Sequence, residues 1–131
     1  MRFKDNKAIY LQIADLICDD ILQQKLLEDE RIPSVREYAA TVEVNANTCA
    51  RAYDLLQNQD IIYTKRGLGY FVSAGAKSAI LKMKRKEFMN ETLPDVARQM
   101  VSLDISMEEL TEGIIKYQTS PHTGHISNPN L

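Results

Sequence analysis

Apolar residues recur near the start of the chain at the spacing of one helical face. Ile9, Ile13, Leu16, Ile17 and Ile21 share that face, while Gln12, Asp15, Asp19 and Gln23 lie opposite. The pattern predicts an amphipathic helix over residues 8–24. A polar, acidic stretch from Leu26 to Ile32 follows and ends at Pro33, which disfavours helix at the residue before it. Arg31-Ile32 therefore reads as a very short strand. Ser34-Val35-Arg36-Glu37 has the form of a capping box, in which a serine hydroxyl and a glutamate three residues on satisfy each other's backbone N–H groups. Val35, Tyr38, Ala39 and Val42 give this second helix its apolar face. After a break at Glu43-Val44, Asn45 is a good N-cap for a third helix running to about Asn58. Its apolar stripe is Cys49, Ala52, Tyr53 and Leu56, and its polar stripe Asn47, Arg51, Asp54 and Asn58. The short gap between these two helices is the length of the turn in a helix-turn-helix.

The period then changes. Ile61-Ile62-Tyr63-Thr64 is β-branched and aromatic, Lys65-Arg66-Gly67-Leu68-Gly69 reads as a turn, and Tyr70-Phe71-Val72 is strand-like again. This predicts a β-hairpin. Gly75 marks a break, and helical patterning resumes from Ala76 to about Glu91. Pro94 is expected to kink or break the helix there. Leu93, Val96, Ala97, Met100 and Leu103 continue an apolar face. Ser106-Met107-Glu108-Glu109 is a second capping box opening a last helix, faced by Met107, Leu110, Ile114 and Tyr117. From Thr119 on, the composition is too polar to pack. The fold class is mainly α with a small β-hairpin, and helix, helix, turn, helix, hairpin is the element order of a winged helix-turn-helix. The expected division is residues 1–73 as the winged domain, 74–118 as a short helical tail, and 119–131 as a flexible end.

Composition adds less than it withholds. The 131 residues are 44% hydrophobic and 26% charged, ordinary for a soluble globular protein. No apolar run approaches the roughly 20 residues of a membrane span, and Met1-Arg2-Phe3-Lys4-Asp5-Asn6 lacks the apolar core of a signal peptide. The expected location is the cytoplasm. Cys18 and Cys49 fall at apolar helix positions, outside any metal-type spacing, and read as buried thiols. Net charge is −2; residues 1–73 carry 9 Lys+Arg against 11 Asp+Glu, and residues 74–131 carry 7 of each. Nucleic-acid binding must therefore rest on where the cations lie rather than on how many there are.

Placed cations are what the pattern offers. The start of a helix fits the DNA major groove and reaches base edges, and its free N–H groups suit phosphate. Asn45, Asn47 and Thr48 stand there, with Arg51 one turn on along the same face. The alternative is that Asn45 and Thr48 only start the helix and that the polar stripe is a solvated face. Arg36, early in the second helix, suits a phosphate or base; its alternative is an ion pair with Glu37 or Asp54. Lys65, Arg66 and Gly67 make a basic, glycine-containing hairpin tip suited to the phosphate chain or minor groove, against a merely solvated hairpin. Lys82, Lys84, Arg85 and Lys86 read mainly as a solvated helix face. His122 and His125 form an HxxH pair without the further ligands a metal needs, so no metal or other cofactor is expected.

These segments together resemble the GntR family of bacterial regulators, in its small YtrA-like branch. The resemblance runs in one register over residues 8–72. It is carried by Ile9-Tyr10-Leu11-Gln12-Ile13, Ile32-Pro33-Ser34-Val35-Arg36-Glu37, Asn45-Ala46-Asn47-Thr48, Arg51-Ala52-Tyr53, and the stretch from Ile61 to Val72. It implies a homodimer on a pseudo-palindromic operator, usually a repressor. It also implies DNA contacts from Arg36, from Asn45, Asn47 and Thr48, and from Arg66 and Gly67; Arg51 matches the branch pattern too. Gln24, Asp29, Glu43 and Asp60 depart from the family by standing where glycine is common, and Ala46 where proline often follows the asparagine. A side chain where φ is positive costs stability. The acidic Glu28-Asp29-Glu30 is expected to face away from DNA.

Only 58 residues follow Ser73, so the larger effector domain common in the family is not expected. The tail's apolar faces suggest a twofold dimer through residues 76–118, the alternative being packing back on the same chain. A small-molecule effector at the dimer seam is compatible with this plan, but no residue marks a place for one. The reading is a sequence-specific DNA-binding transcriptional regulator of double-stranded DNA. The competing class is a winged helix used as a protein-interaction module without DNA binding, which the acidic balance favours. An enzyme is not expected: there is no Gly-rich phosphate loop, no Ser/His/Asp order, and no histidine before residue 122.

Overall fold

A computed structural model of the chain describes residues 7–119; His122, His125 and most of the expected flexible end lie outside the described residues. The elements are α1 (Ile9–Leu22), α2 (Val35–Val42), α3 (Ala46–Asn58), β1 (Ile62–Lys65), β2 (Gly69–Val72), α4 (Ala76–Glu87), α5 (Leu93–Leu103) and α6 (Met107–Thr119). Two compact units divide the chain, Met1–Arg85 and Lys86–Leu131.

The first unit is built around α3. Cys49, Ala52, Tyr53 and Leu56 are its buried stripe, as the periodicity predicts, and they meet Ile13, Ile17 and Ile21 of α1 and Ala39 of α2. Burying each large aliphatic side chain stabilises by about 1.5–3 kcal/mol. Tyr53 is the largest wholly buried side chain. Its hydroxyl donates to the Pro33 carbonyl at 2.6 Å, and its ring meets Tyr70 edge-on at 4.9 Å. A buried tyrosine keeps its apolar gain only if the hydroxyl finds such a partner. Both thiols are buried and unpaired, and burial pushes the Cys18 thiol up to about 12. Residues 74–85, grouped by sequence with the helical tail, supply Ala76 and Ile80 to this same core.

Local signals set the element ends. Ser34 accepts from the Glu37 N–H at 3.1 Å while Glu37 accepts from the Ser34 N–H at 2.8 Å, the reciprocal cap expected. Asn45 accepts from the Asn47 N–H at 2.7 Å and opens α3. Ala46 is the first helical residue, the position that suits proline. Gln24, Asp29, Glu43 and Asp60 all adopt positive φ, between 57° and 65°, as the family's glycines imply for these four positions. Asp104 joins them at 55° and was not foreseen.

The hairpin pairs Ile62 with Val72, Tyr63 with Phe71, Thr64 with Tyr70 and Lys65 with Gly69. The turn is thus Arg66-Gly67-Leu68, shorter than the sequence suggests, because Lys65 and Gly69 still belong to the ladder. Arg31 pairs with Phe71 as an isolated antiparallel bridge, so the short strand expected at Arg31-Ile32 is reduced to a single bridging residue.

In the second unit Pro94 does not break the helix. Glu87, Thr92 and Leu93 all keep right-handed helical dihedrals, and Phe88–Thr92 forms a π-helical turn just before α5. Proline has no N–H to give and its ring crowds the carbonyl four residues back. A widened turn absorbs that mismatch. Ser106 and Glu109 form the second capping box, with both bonds at 3.0 Å. No residue of α5 or α6 is buried.

Candidate nucleic-acid interface

Two helix starts and one turn carry the candidate residues. The α2 box engages the Ser34 and Glu37 N–H groups at the start of its helix. It also holds the Glu37 carboxyl below its ordinary range, chiefly through the Ser34 backbone N–H and then the Ser34 hydroxyl. Arg36 is the second residue of α2, exposed, and it forms no ion pair with Glu37, Asp54 or any other acid among the described residues. Its charge is therefore available to an external anion.

At the start of α3, Asn47 is exposed and Thr48 half-buried. Asn45 is exposed too, but its side-chain oxygen is engaged in capping, so the helix-start role foreseen as an alternative is realised for that oxygen. Arg51 is exposed one turn along. Its guanidinium lies over the Tyr10 ring, 4.0 Å from the centroid, a cation–π stack that narrows its rotamers while leaving the planar edge for hydrogen bonding. Tyr10 had no role in the sequence reading beyond its place in the family pattern.

On the hairpin, Arg66 and Gly67 are exposed at the turn and Leu68 N–H closes it onto the Lys65 carbonyl at 2.9 Å. Lys65 lies over the Phe71 ring at 4.8 Å, on the face where Phe71 stacks with Tyr63. Gly67 has φ +77° and a Cβ there would meet nothing within 4 Å. The backbone angle asks for glycine, while the space around it stays open to a close-approaching ligand.

The acidic stretch is tied into the chain. Glu28 accepts from the Gly75 N–H at 3.0 Å, Asp29 from the Tyr63 hydroxyl at 2.8 Å, and Glu30 from the Leu27 N–H at 2.8 Å. Lys84, from the basic run, stands 4.0 Å from Asp15 and 3.9 Å from Asp19 of α1, while Lys82, Arg85 and Lys86 are exposed. Arg31, which the sequence offers only as part of a short strand, was not among the candidate site residues. It is exposed, yet its Nε donates to the Leu68 carbonyl at 3.1 Å. Among the described residues no group of three or more His, Cys, Asp or Glu is placed to hold a metal. No helix there is long and apolar enough to cross a membrane.

Residues 9–72 match the bacterial regulatory proteins of the gntR family. Over 113 residues the chain is 37% identical to the HTH-type transcriptional regulator YhcF of Bacillus subtilis, covering 86% of this chain and 92% of that protein. Over 111 residues it is 30% identical to the HTH-type transcriptional repressor YtrA of the same organism, covering 85% of each. A crystal structure from Bacteroides thetaiotaomicron, described as a transcriptional regulator of the GntR family, is similar with a TM-score of 0.71. It is 48% identical, over 84% of this chain and 96% of that one.

Proposed function

The chain belongs to the GntR family of DNA-binding transcriptional regulators, with the winged helix-turn-helix fold, and on that premise we propose that it represses transcription by binding a pseudo-palindromic operator as a homodimer. The observation that carries the DNA-reading half is the free, exposed Arg36 at the α2 start, with the α3 start and the Arg66-Gly67 turn also exposed. In this reading α3 enters the major groove with Asn47, Thr48 and Arg51 toward base edges, and Asn45 contributes through its remaining amide N–H groups. Arg36 takes a phosphate or base, and Lys65, Arg66 and Gly67 follow the adjacent backbone. Repression is supported by the likeness to YtrA, which is named a repressor.

Dimerisation through residues 76–118 is supported by the second unit, whose helices bury nothing while Val101, Leu103 and Met107 stand open to solvent. A pseudo-palindromic operator with half-sites one DNA turn apart requires the dimer to hold its two α3 helices about 34 Å apart. Selection from a random duplex pool should return a two-fold site, with affinity falling steeply as salt rises. Arg36→Ala and Arg66→Ala should each weaken binding by about 1–3 kcal/mol if they read bases. No preferred site, with no effect of either variant, would favour the protein-interaction reading instead. A monomer by sedimentation at tens of micromolar would end the dimer reading.

A further inference from the structure

We propose that Arg31 is a positioning residue for the wing tip, fixing Arg66 and Gly67 relative to the helix-turn-helix; this rests on the DNA-binding reading above. The strip 29–32 runs along β2. Asp29 N–H donates to the Val72 carbonyl at 2.7 Å, Val72 N–H to the Glu30 carbonyl at 3.0 Å, and Ile32 N–H to the Tyr70 carbonyl at 2.9 Å. The same strip leads through Pro33, held by Tyr53, into the capped start of α2 that carries Arg36. One piece of chain therefore touches both the core beneath α3 and the hairpin.

From that strip the Arg31 side chain reaches the turn. Its Nε donates to the carbonyl of Leu68, the residue that follows Gly67. Among the described residues, this is the hydrogen bond that ties turn residues 66–68 to chain outside the hairpin. Gly69 makes room for it. A Cβ on Gly69 would lie 3.2 Å from the Arg31 Nε and 3.7 Å from a terminal nitrogen, at φ +111°. The Arg31 charge is also the smallest of the influences that hold the Glu37 carboxyl below its ordinary range. A lysine keeps the charge but not the planar guanidinium whose Nε–H is directed to the Leu68 carbonyl. A turn already held in the free protein costs less to order on DNA.

The test uses the full chain and a duplex that the wild type recovers from a random pool. In the free protein, Arg31→Lys should raise nanosecond mobility at the Gly67 and Leu68 amides, read by 15N relaxation, while Tyr63 stays as ordered as in the wild type. On the duplex, Arg31→Lys should lose roughly tenfold in affinity. In an Arg66→Ala background it should lose almost nothing, because the residue it positions is gone. Equal order at Gly67 and Leu68 in both proteins would overturn the proposal, as would losses that simply add, the mark of an arginine touching DNA on its own account. If the wild type recovers no duplex, the DNA-binding reading fails by itself, and the relaxation comparison still decides whether Arg31 holds the turn.

Discussion

The unit up to Arg85 and the unit from Lys86 begin their helices in the same way. Ser34 with Glu37, and Ser106 with Glu109, close reciprocal backbone bonds of 2.8 to 3.1 Å. Both units also end a helix in a left-handed residue, Glu43 after α2 and Asp104 after α5. Beyond that they part. In the first unit Leu56, Tyr53 and Ile17 lose essentially all contact with solvent, whereas in the second Val101 remains 84% exposed and Leu103 65%. Capping and turn chemistry fix an element from its own few residues. Burial needs a second surface, and the second unit's helices carry apolar faces with no such surface of their own. A helix of 11 or 13 residues is marginal alone in water, which is the thermodynamic reason for the dimer proposal.

The largest expected effect tests that contrast directly. Leu56→Ala empties a filled site and should cost about 2–5 kcal/mol of stability by urea unfolding. Leu103→Ala, measured at concentrations too low for association, should cost less than about 0.5 kcal/mol. At high concentration the order of interest changes: Leu103→Ala should weaken self-association by sedimentation and Leu56→Ala should not, so long as it remains folded. Equal losses of intrinsic stability would break the comparison.

A middle-sized effect sharpens it. A left-handed backbone costs an ordinary residue roughly 1–2 kcal/mol that glycine avoids, partly offset by the entropy glycine loses on folding. Glu43→Gly should therefore gain about 0.5–1 kcal/mol in the cooperative unfolding of the first unit. Asp104→Gly relieves the same strain where nothing is buried. It should raise helical circular dichroism and association without moving the midpoint of the first unit. A common shift of that midpoint by both variants would mean that the two units share one transition.

Local chemistry was legible and distant contact was not. The two capping boxes, the Asn45 cap, the stripe of α3 and the hairpin follow from residues within a few positions of each other. The positive φ of Gln24, Asp29, Glu43 and Asp60 was readable only through the glycines their relatives carry; Asp104, outside that frame, gave no sign. Arg31 on Leu68 and Arg51 on Tyr10 join residues far apart in sequence, and no periodicity announces such a pair. Ala76 and Ile80 show the same limit. Their pattern marked an apolar helix face, but not that the face closes the core of the first unit. At Pro94 the composition indicated a disturbed ladder, and the π turn that absorbs it depends on backbone freedom that sequence spacing does not express.

The smallest expected effect separates the charge in the α2 box from its geometry. Glu37 is exposed, and its carboxyl is held below its ordinary value of 4.5, first by the Ser34 backbone N–H and then by the Ser34 hydroxyl. A carboxyl whose folded pKa lies below its unfolded one binds fewer protons when folded. The stability it contributes is therefore complete above the unfolded value and is lost as pH falls through the folded one. Glu37→Gln keeps an acceptor for the Ser34 N–H, since glutamine also serves in this motif, but removes the titration. The variant should unfold at a slightly lower urea concentration than the wild type at neutral pH. The two curves should converge as pH drops below the ordinary carboxylate range. A gap that persists unchanged into acid would assign the difference to side-chain geometry and not to charge. The α2 start, with Arg36 beside it, would then owe its order to the fit of the residue 37 side chain in the box rather than to its charge.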